Sequence, residues 1–461
     1  MRKLVLILLV LLFSVCAGAS LAFAQPLDRG ELLAVFPQAP DLNEPVTRGA
    51  FGAMLAKAAN LPAVSGQVYR AKDVVPGSWY APALASLAER GIMAGYPDGT
   101  LRPGQPVTRA EAAVMVSRTL GLFGTTGQPE AGPLKPDHWA SSLYNWLVNQ
   151  GLVSAQSNPE GTLTVGEAAD FLARVFGSDP RAVEVMEKSR RAQADVKAMR
   201  AKTHMDIILQ PRAGMANQVP ILSGSGEMSM EVVFPATMHL VARWRFEATG
   251  GPAAKDEQRL PELEMEQYLV GGKIYMKMTD PATGKAAWMR LPESAIPDLG
   301  ALMKESLEAS KLSGGRIPEE LKPYFHYQLL GTTEKDGRKV FEIAYYGRID
   351  DLAAFFQLAI PESMRGTLDA LQLERSLDEA GKLIKSISYW GRDYINADDY
   401  LPYGGELKTV LSFADRFQGK VVPFELIEVR MRVEEFAYGD QIKIELPPEA
   451  LQAREMPQSL Q

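Results

Sequence analysis

Arg109 is the side chain whose local sequence best suits it to bind an anionic ligand. Thr108 stands three residues before Glu111, the spacing of a capping box, so Arg109 is predicted to begin a helix. A guanidinium there can offer two parallel donors to a carboxylate, and the free N–H groups of the helix start add a positive field. Arg48 occupies the same position in an incomplete copy of this pattern. The simpler interpretation of each arginine is an exposed side chain that pairs with a nearby acid, and the residues alone leave both open.

The sequence contains no pattern typical of an active site. Its histidines are scattered singly, so neither a histidine-rich metal site nor an obvious general base is visible; they are His138, His204, His239 and His326. A phosphate-binding glycine loop and a Gly-x-Ser-x-Gly nucleophile elbow are missing. Two distant carboxylates of the glycosidase type would escape a linear search. We expect a protein that is not an enzyme and that uses no cofactor or metal.

The candidate arginine lies in a predicted helix–loop–helix unit over residues 69–122. Apolar side chains recur at helical spacing on both sides of a turn; they are Trp79, Leu84, Leu87 and Ile92 before it, and Ala112, Met115, Val116 and Leu120 after it. Pro97-Asp98-Gly99 supplies the turn, because proline fixes φ, aspartate bonds its own backbone and glycine admits a positive φ. The unit therefore predicts two helices joined by an ordered loop.

Within this unit the chain resembles an S-layer homology repeat. The matching positions are Asp73-Val74, Trp79, Gly91-Ile92, Gly95 to Thr100, Arg102-Pro103 and Thr108 to Glu111. Residues 45–58 resemble the second half of another copy, and residues 136–172 resemble a degenerate copy. Residues 25–178 are therefore predicted to hold three repeats, at about 27–66, 67–130 and 131–178.

In the family that these residues resemble, three such repeats form an all-α bundle whose grooves bind an acidic secondary cell-wall polysaccharide. The resemblance implies that Arg48 and Arg109 are carboxylate ligands and that further residues shape or line the groove; these are Trp79, Gly95, Tyr96 and Asp98. The third copy has Val165 in place of the arginine, so it lacks this candidate ligand. Trp79 and Trp139 each open an apolar helical stripe, which favours core anchors over sugar platforms.

The N-terminus has the three parts of a secretory signal peptide, predicted over residues 1–24. Arg2-Lys3 precedes the apolar run from Leu4 to Val15, and Ala22-Phe23-Ala24 offers a cleavage site. Lipidation of Cys16 is the alternative, although Val15 is larger than the residue expected before it. No later run is apolar and long enough to span a bilayer. The net charge of −7 argues against nonspecific nucleic-acid binding. We expect a secreted chain at the cell wall or cell surface.

Beyond residue 178 the hydrophobic period changes. A polar helix over Ala182–Ala201 is predicted within a linker at residues 179–202. Side chains then alternate with a period of two, as in Met238 to Phe246 and Ile274 to Met278. Further strands are predicted at residues 327–331, 339–346, 384–390, 407–413, 424–436 and 442–446, and helices at residues 299–311, 352–358 and 364–380. Gly271-Gly272 and Asp336-Gly337 are predicted hairpin turns. Residues 203–461 are therefore predicted to form an α+β domain dominated by one large curved antiparallel sheet, a half-barrel.

The strands of this region resemble the lipoprotein-carrier superfamily, in which an incomplete β-barrel wraps around helices. The parallels are Met205-Asp206-Ile207, Gly272 to Lys277 leading to Trp288 to Pro292, and Tyr438-Gly439-Asp440 leading to Ile444 to Pro447. The resemblance implies an apolar face that holds acyl chains, with Met276 and Met278 as lipid-cavity candidates. Methionines that simply fill a core are the alternative.

Two functional hypotheses follow. The first is non-covalent anchoring to the wall through the repeats, which display a C-terminal domain that binds lipid or a lipidated partner. The second is a structural or protein-docking envelope protein whose C-terminal core is filled and holds no small ligand.

Overall fold

The computed structural model describes residues 27–61, 71–122, 131–235, 237–250, 258–259, 262–279, 286–292, 324–359 and 379–456. Before residue 195 the described elements are helices, and after residue 197 strands predominate. The large sheet with its helices agrees with the α+β class predicted for the C-terminal region. The predicted signal peptide, the helix predicted at residues 299–311 and most of the helix predicted at residues 364–380 lie outside the described residues.

The N-terminal helices are short, and several of them begin at a side-chain cap. They are α1 Arg29–Leu33, α2 Arg48–Ala58, α3 Ala81–Glu89, α4 Arg109–Thr119, α5 Ser141–Asn149, α6 Val165–Phe176 and α7 Pro180–Ala194. The side chains of Thr47, Thr108 and Thr164 cap α2, α4 and α6 by accepting a backbone N–H from three residues on. The predicted capping box of Thr108 and Glu111 is confirmed. None of the described helices is long and apolar enough to cross a bilayer.

The strands account for most of the remaining described residues. They are β1 Ala198–Pro211, β2 Ile221–Val233, β3 Thr237–Thr249, β4 Gln258–Arg259, β5 Leu263–Val270, β6 Lys273–Thr279, β7 Ala286–Arg290, β8 His326–Lys335, β9 Arg338–Ile349, β10 Ile384–Asn396, β11 Pro402–Phe413, β12 Arg416–Phe417, β13 Lys420–Val421, β14 Phe424–Tyr438 and β15 Arg454–Glu455. Two further helices are α8 Leu352–Ala359 and α9 Pro448–Leu451.

One sheet of 13 described strands has the order β15-β7-β6-β5-β3-β2-β1-β14-β11-β10-β9-β8, with β4 paired to β3. Its pairs are antiparallel except β15 with β7, so the sheet is mixed rather than wholly antiparallel. Both predicted hairpin turns are confirmed: Val270 pairs with Lys273 and Lys335 pairs with Arg338, each across two residues of positive φ.

One predicted helix has a wrong end, and one predicted strand is wrong. The helix after residue 179 ends at Ala194 instead of Ala201, because β1 begins at Ala198 and pairs with β2 and β14. The strand predicted at residues 442–446 is not a strand. Its side chains alternate in polarity, but alternation makes a strand only where a neighbouring strand supplies hydrogen bonds.

Cross-strand register divides the sheet into an apolar face and a polar face. One row of the apolar face holds Ala201, Met230, Leu240, Gln267, Met276 and Met289. The adjacent row of the polar face holds Arg200, Glu231, His239, Tyr268, Tyr275 and Arg290. Helices α7 and α8 cover the apolar face over β8–β11, where Val185 and Leu352 share a buried cluster with Ile343. Over β2–β6, apolar side chains such as Met230 and Met276 stay partly exposed.

The N-terminal helices pack on the polar face, at β9 and β10. Trp146 of α5 is 4% exposed, and its ring centroid lies 5.9 Å from that of Tyr346 and 6.2 Å from that of Trp390. These three residues belong to the hydrophobic cluster of the helices. The helices and the sheet therefore share one core at this junction.

Polar side chains of the sheet complete the junction by donating to carbonyls in the last turns of three helices. Arg348 Nη1 donates to Arg118 O of α4 at 3.3 Å, and Arg392 Nη2 donates to Asn149 O of α5 at 3.0 Å. The Tyr346 hydroxyl donates to Val175 O of α6 at 2.8 Å. Carbonyls at a helix C-terminus lack intrahelical partners and carry partial negative charge, so these donors and cations stabilise the contact.

His326 is a titratable group buried at this junction. It is 5% exposed, with its ring 5.9 Å from Phe176 and 5.5 Å from Tyr346. Its Nδ1 atom has no hydrogen-bond partner among the described residues. Burial in these surroundings disfavours the charged imidazolium and lowers the pKa of His326 from 6.5 to about 4.

We expect His326 to make the fold acid-sensitive. Because its pKa is lower in the folded chain, the unfolded chain takes up the proton first as pH falls. Above pH 6.5 His326 is neutral in both states and the folded state is fully stable. As pH falls to about 4, the free energy of unfolding decreases by about 3 kcal/mol. Urea unfolding between these pH values measures it. The variant His326→Phe should show a flatter dependence than wild type, whereas parallel curves would contradict the assignment. His138→Phe, at a more exposed histidine, is the control.

Candidate functional site

The capped starts of α2, α4 and α6 meet in a closed ring of backbone hydrogen bonds. Val107 N donates to Val46 O at 3.0 Å, Leu163 N donates to Val107 O at 3.0 Å, and Val46 N donates to Leu163 O at 2.9 Å. Each of these buried residues directly precedes a threonine cap. The ring therefore fixes the three helix starts relative to one another.

Arg48, the first residue of α2, is buried between α2 and α4. Its Nε donates to Leu101 O at 2.9 Å, and its Nη1 donates to Glu111 Oε1 at 3.0 Å. The side chain is 7% exposed. Glu111 also accepts hydrogen bonds from Thr108 N at 3.1 Å and from the Tyr96 hydroxyl at 3.3 Å. The guanidinium of Arg48 thus holds a carboxylate of the protein itself, an arrangement that disfavours direct contact with a ligand; the predicted ligand role of Arg48 stays a prediction.

Arg109, the first residue of α4, has a similar arrangement nearer to solvent. Its Nη2 donates to Glu167 Oε1 at 2.6 Å, and its Nη1 donates to Thr162 O at 3.0 Å. The side chains of Arg109 and Glu167 are 23% and 46% exposed. A ligand carboxylate can reach this guanidinium by displacing Glu167, which would return to water. The geometry is compatible with the predicted ligand role, which stays a prediction.

The third pair of neighbouring helix starts in the ring, α6 with α2, has no arginine–glutamate pair. Val165 stands at the arginine position of α6, and Ala50 stands at the glutamate position of α2. Both residues are buried. The backbone still closes the ring, since Val165 N donates to Glu44 O at 2.9 Å as Arg48 N donates to Gln105 O at 2.8 Å. The two charges are replaced together, so neither is left without its counterpart.

The predicted turn at Pro97-Asp98-Gly99 carries a second polar group. The guanidinium of Arg102 lies 3.8 Å from the centre of the Tyr96 ring, and its Nη2 is 3.2 Å from Asp98 Oδ2. The Thr100 hydroxyl donates to Asp98 Oδ1 at 2.6 Å, and this bond holds the pKa of Asp98 below its usual value. Gly95 is exposed just before Tyr96. The guanidinium of Arg48 also lies 5.2 Å from the Tyr96 ring, so this tyrosine joins the turn to the ring.

Sequence reasoning missed Arg102 as a candidate functional residue. Its side chain is 44% exposed, and its backbone has a φ of 51° that is held by an N–H bond to Asp73 Oδ2 at 2.7 Å. The motif Arg102-Pro103 was the available signal. Nearby, the exposed Lys72 donates from Nζ to Asp98 O at 2.9 Å. Two exposed cations therefore flank the turn.

Trp79 and Trp139 are more exposed than predicted, at 38% and 63%. Each lies before the cap of its helix, outside the buried stripe, so the core-anchor interpretation is wrong. The Trp79 ring centroid lies 5.2 Å from that of Phe36, and the Trp139 ring lies 5.7 Å from that of His138. Both indoles present accessible faces.

The lipid-cavity candidates lie on β6. Met276 is partly exposed on the apolar face and pairs with Gln267 and Met289. The backbone of Met278 pairs with Ala287, and its side chain lies outside the described residues. Two cavities in the described part of the chain, of about 750 Å³ and about 270 Å³, lie elsewhere, between the N-terminal helices and the polar face.

Comparison with known families and proteins gives a match to the repeat that holds Arg109. The model of the S-layer homology domain matches residues 72–113. The chain is 42% identical over 87 residues to the outer membrane protein SlpA of Deinococcus radiodurans, covering 19% of this chain and 7% of that protein. It is 35% identical over 109 residues to cell surface glycoprotein 1 of Acetivibrio thermocellus, covering 21% and 5%. The cellulosome-anchoring protein of the same organism is 28% identical over 124 residues, covering 25% and 28%.

The chain thus spans only a small part of the length of these relatives. Among solved structures, LprF of Mycobacterium bovis aligns with 59% of this chain and 98% of its own, at 13% identity and a TM-score of 0.28. The lipoprotein LppX of Mycobacterium tuberculosis aligns with 58% of this chain and 100% of its own, at 12% identity and a TM-score of 0.25. Likenesses at this level assign neither a fold nor a ligand to the sheet.

The family match falls on the helix–loop–helix unit that the motif predicted, and the relatives that share it include cell-surface and S-layer proteins. Residues 72–113 therefore hold an S-layer homology domain, and the similarity to these relatives supports a location at the cell surface or cell wall.

Proposed function

We propose that this protein anchors itself non-covalently to the cell wall by binding an acidic secondary cell-wall polysaccharide at the ring of helix starts. The observation that carries the proposal is the Arg109–Glu167 pair, whose partners are both partly exposed at a helix N-terminus. A carboxylate of the polymer takes the place of the Glu167 carboxylate at the Arg109 guanidinium, so the arginine stays paired. Arg102 and Lys72 extend the cationic surface toward the turn.

The helix dipoles support an anionic ligand at this end. Each capped start in the ring adds N–H groups and partial positive charge, which favours a nearby anion by about 0.3–1 kcal/mol. The last turns of α4, α5 and α6 instead meet arginines and other donors of the sheet. The helices thus present their positive ends to the ligand and their negative ends to the protein.

The whole chain is expected to sediment with purified wall sacculi, and Arg109→Ala is expected to weaken this binding. Loss of a charge-assisted contact costs about 1.5–3 kcal/mol, or roughly ten- to a hundredfold in affinity. The intact chain is used because the helices share a core with the sheet. Binding isotherms of both proteins on native sacculi give the measurement.

Arg243→Ala is the matched control, since Arg243 is 60% exposed and pairs with Glu264 on the sheet. Chemical removal of the acidic polymer from the sacculi should abolish the difference between wild type and Arg109→Ala. Equal affinity of the two proteins for native sacculi would remove Arg109 from the site. Sedimentation that survives removal of the polymer would exclude the proposed ligand.

A second candidate function, binding of a lipid or a lipidated partner, is favoured by the apolar face over β2–β6. The partly exposed side chains there are Met228, Met230, Met265, Met276 and Trp244. Methionine is flexible and polarizable, so such a face adapts to acyl chains. Over β8–β11 the same face is covered by α7 and α8. The alternative function is a structural or protein-docking domain, in which the whole apolar face would be covered in this way.

Met276→Glu is expected to separate these alternatives. At an open lipid-binding face the new carboxylate stays hydrated, so the variant should keep its melting temperature and lose uptake of a fluorescent fatty-acid analogue. In a filled core the same change buries an unpaired charge and should destabilise the fold by several kcal/mol, as is usual for a buried charge without a partner.

Tyr275→Glu is the control, because residue 275 lies on the same strand and the opposite face. It should leave uptake unchanged. A folded Met276→Glu variant without uptake supports lipid binding, and a destabilised one supports the filled scaffold. Wild type that takes up no probe contradicts lipid binding whatever the variants do.

A further inference from the structure

The two cavities described above lie next to each other along the border between the N-terminal helices and the polar face. Both are lined by Gln150, at the end of α5, and by Arg392 of β10. The larger cavity extends from these residues to Arg181 at the start of α7 and to Leu330 of β8. The smaller one extends across β11 and β14 to His204 of β1. Together they form one groove, here called the junction groove, which crosses several strands.

The junction groove is cationic within an acidic protein. Six basic side chains line it; they are Arg174, Arg181, Arg392, Lys408, Arg430 and Arg432. Four carboxylates line it as well, and buried Glu428 pairs with Lys408 and Arg430 beneath it. Cations remain in excess when all five acids are counted, whereas the whole chain has 49 basic and 56 acidic residues. The groove therefore has a charge balance opposite to that of the protein.

Arg432 is the clearest available donor in the groove. It is exposed, and no hydrogen bond or ion pair joins it to another described residue. Its cross-strand neighbours on the polar face are His204 and Glu406. Farther along the groove, Arg392 pairs with Glu342 at 2.8 Å. The groove thus contains both planar cations and carboxylate acceptors, and Gln150 and Gln328 also line it.

We propose that the junction groove is a second binding surface for an acidic oligosaccharide chain. This rests on the proposed function, because it assigns more of the same class of polymer to the protein. The arginines bind its carboxylates, and the acids, amides and helix carbonyls accept its hydroxyl protons. Interspersed carboxylates disfavour nucleic acid, whose closely spaced phosphates they would repel. A polymer held both here and at the ring gains affinity because the second contact is intramolecular.

The test uses the whole chain and fluorescently labelled oligogalacturonate, with fluorescence anisotropy as the readout. Arg432→Glu is expected to lower affinity about tenfold, both alone and in an Arg109→Ala background where the ring is weakened. Arg245→Glu is the matched control, since Arg245 lies on the same polar face, is 79% exposed and is outside the groove. Arg432→Gln should be intermediate between wild type and Arg432→Glu.

Equal affinities of Arg432→Glu and Arg245→Glu for oligogalacturonate would overturn the proposed binding at the groove. The proposal for the ring would stand, because it is tested separately by the binding of Arg109→Ala to sacculi. Binding of poly-glutamate as tight as that of oligogalacturonate, with the same loss in Arg432→Glu, would make the groove a general polyanion surface and overturn its assignment to a sugar chain. A neutral chitin oligosaccharide that binds equally well would exclude the role of charge and overturn the proposal too.

Discussion

Trp146→Ala is expected to lower the free energy of unfolding by about 3–5 kcal/mol, the usual cost of truncating a buried tryptophan. The side chain is 4% exposed between Tyr346 and Trp390. Its Nε1 atom has no hydrogen-bond partner among the described residues, so the loss is one of packing and cavity formation. Trp146 belongs to the core that the helices share with the sheet. In the Trp146→Ala variant we therefore also expect the N-terminal helices to separate from the sheet before the sheet unfolds. Urea unfolding followed by fluorescence and by circular dichroism measures both effects.

Trp139→Ala provides the matched control for this prediction. It removes the same indole from the same predicted repeat, but Trp139 is 63% exposed, so the expected change is within about 0.5 kcal/mol. If both variants lose the same stability, the shared core is not what Trp146 stabilises. A single coincident transition for Trp146→Ala would show that helices and sheet still unfold together.

Arg48→Ala is expected to cost about 3 kcal/mol, the lower end of the range for breaking a buried ion pair. The change leaves Leu101 O without its donor and Glu111 without its cation at a junction where the arginine side chain is 7% exposed. Any weakening of wall binding by Arg48→Ala should result from this loss of stability rather than from a lost ligand contact, because the Arg48 side chain is buried. Thermal and urea unfolding of the purified variant give the free energy.

Arg109→Ala is the control, because the Arg109–Glu167 pair is partly exposed and such pairs contribute about 1 kcal/mol or less. The double variant Arg48→Ala/Glu111→Gln tests the cause: removing the unpaired charge should restore part of the stability. Comparable destabilisation by Arg48→Ala and Arg109→Ala would contradict the buried role of Arg48, and so would a double variant less stable than Arg48→Ala alone.

The features that could be predicted from the sequence are those fixed within a few residues. Thr108 and Glu111 form their capping box through each other's backbone, so their spacing is sufficient. Gly271-Gly272 makes a tight hairpin turn because both residues have a positive φ, which glycine adopts without strain. The family match at residues 72–113 likewise falls on residues that the motif had singled out.

The features that could not be predicted depend on contacts distant in the chain. Arg48 and Arg109 follow equivalent caps, yet one is buried and the other partly exposed, because their surroundings come from residues more than 50 positions away. The apolar residue Trp79 fits the helical period of α3 but lies before the helix begins. Nothing in the local sequence of Trp146 indicates that it packs on β9 and β10 rather than within the helices.

Under the proposed anchoring at the ring, the direction of α4 and α6 determines which side of the sheet faces the wall. These helices have 11 and 12 residues and run from the ring to the sheet, a length of about 17 Å at 1.5 Å per residue. In a molecule bound to the wall through the ring, these two helices would separate the bound polymer from the sheet by about that length. Under the proposed anchoring, the polar face at β9 and β10 faces the polymer, and helices α7 and α8, which cover the apolar face there, lie on the side away from the wall.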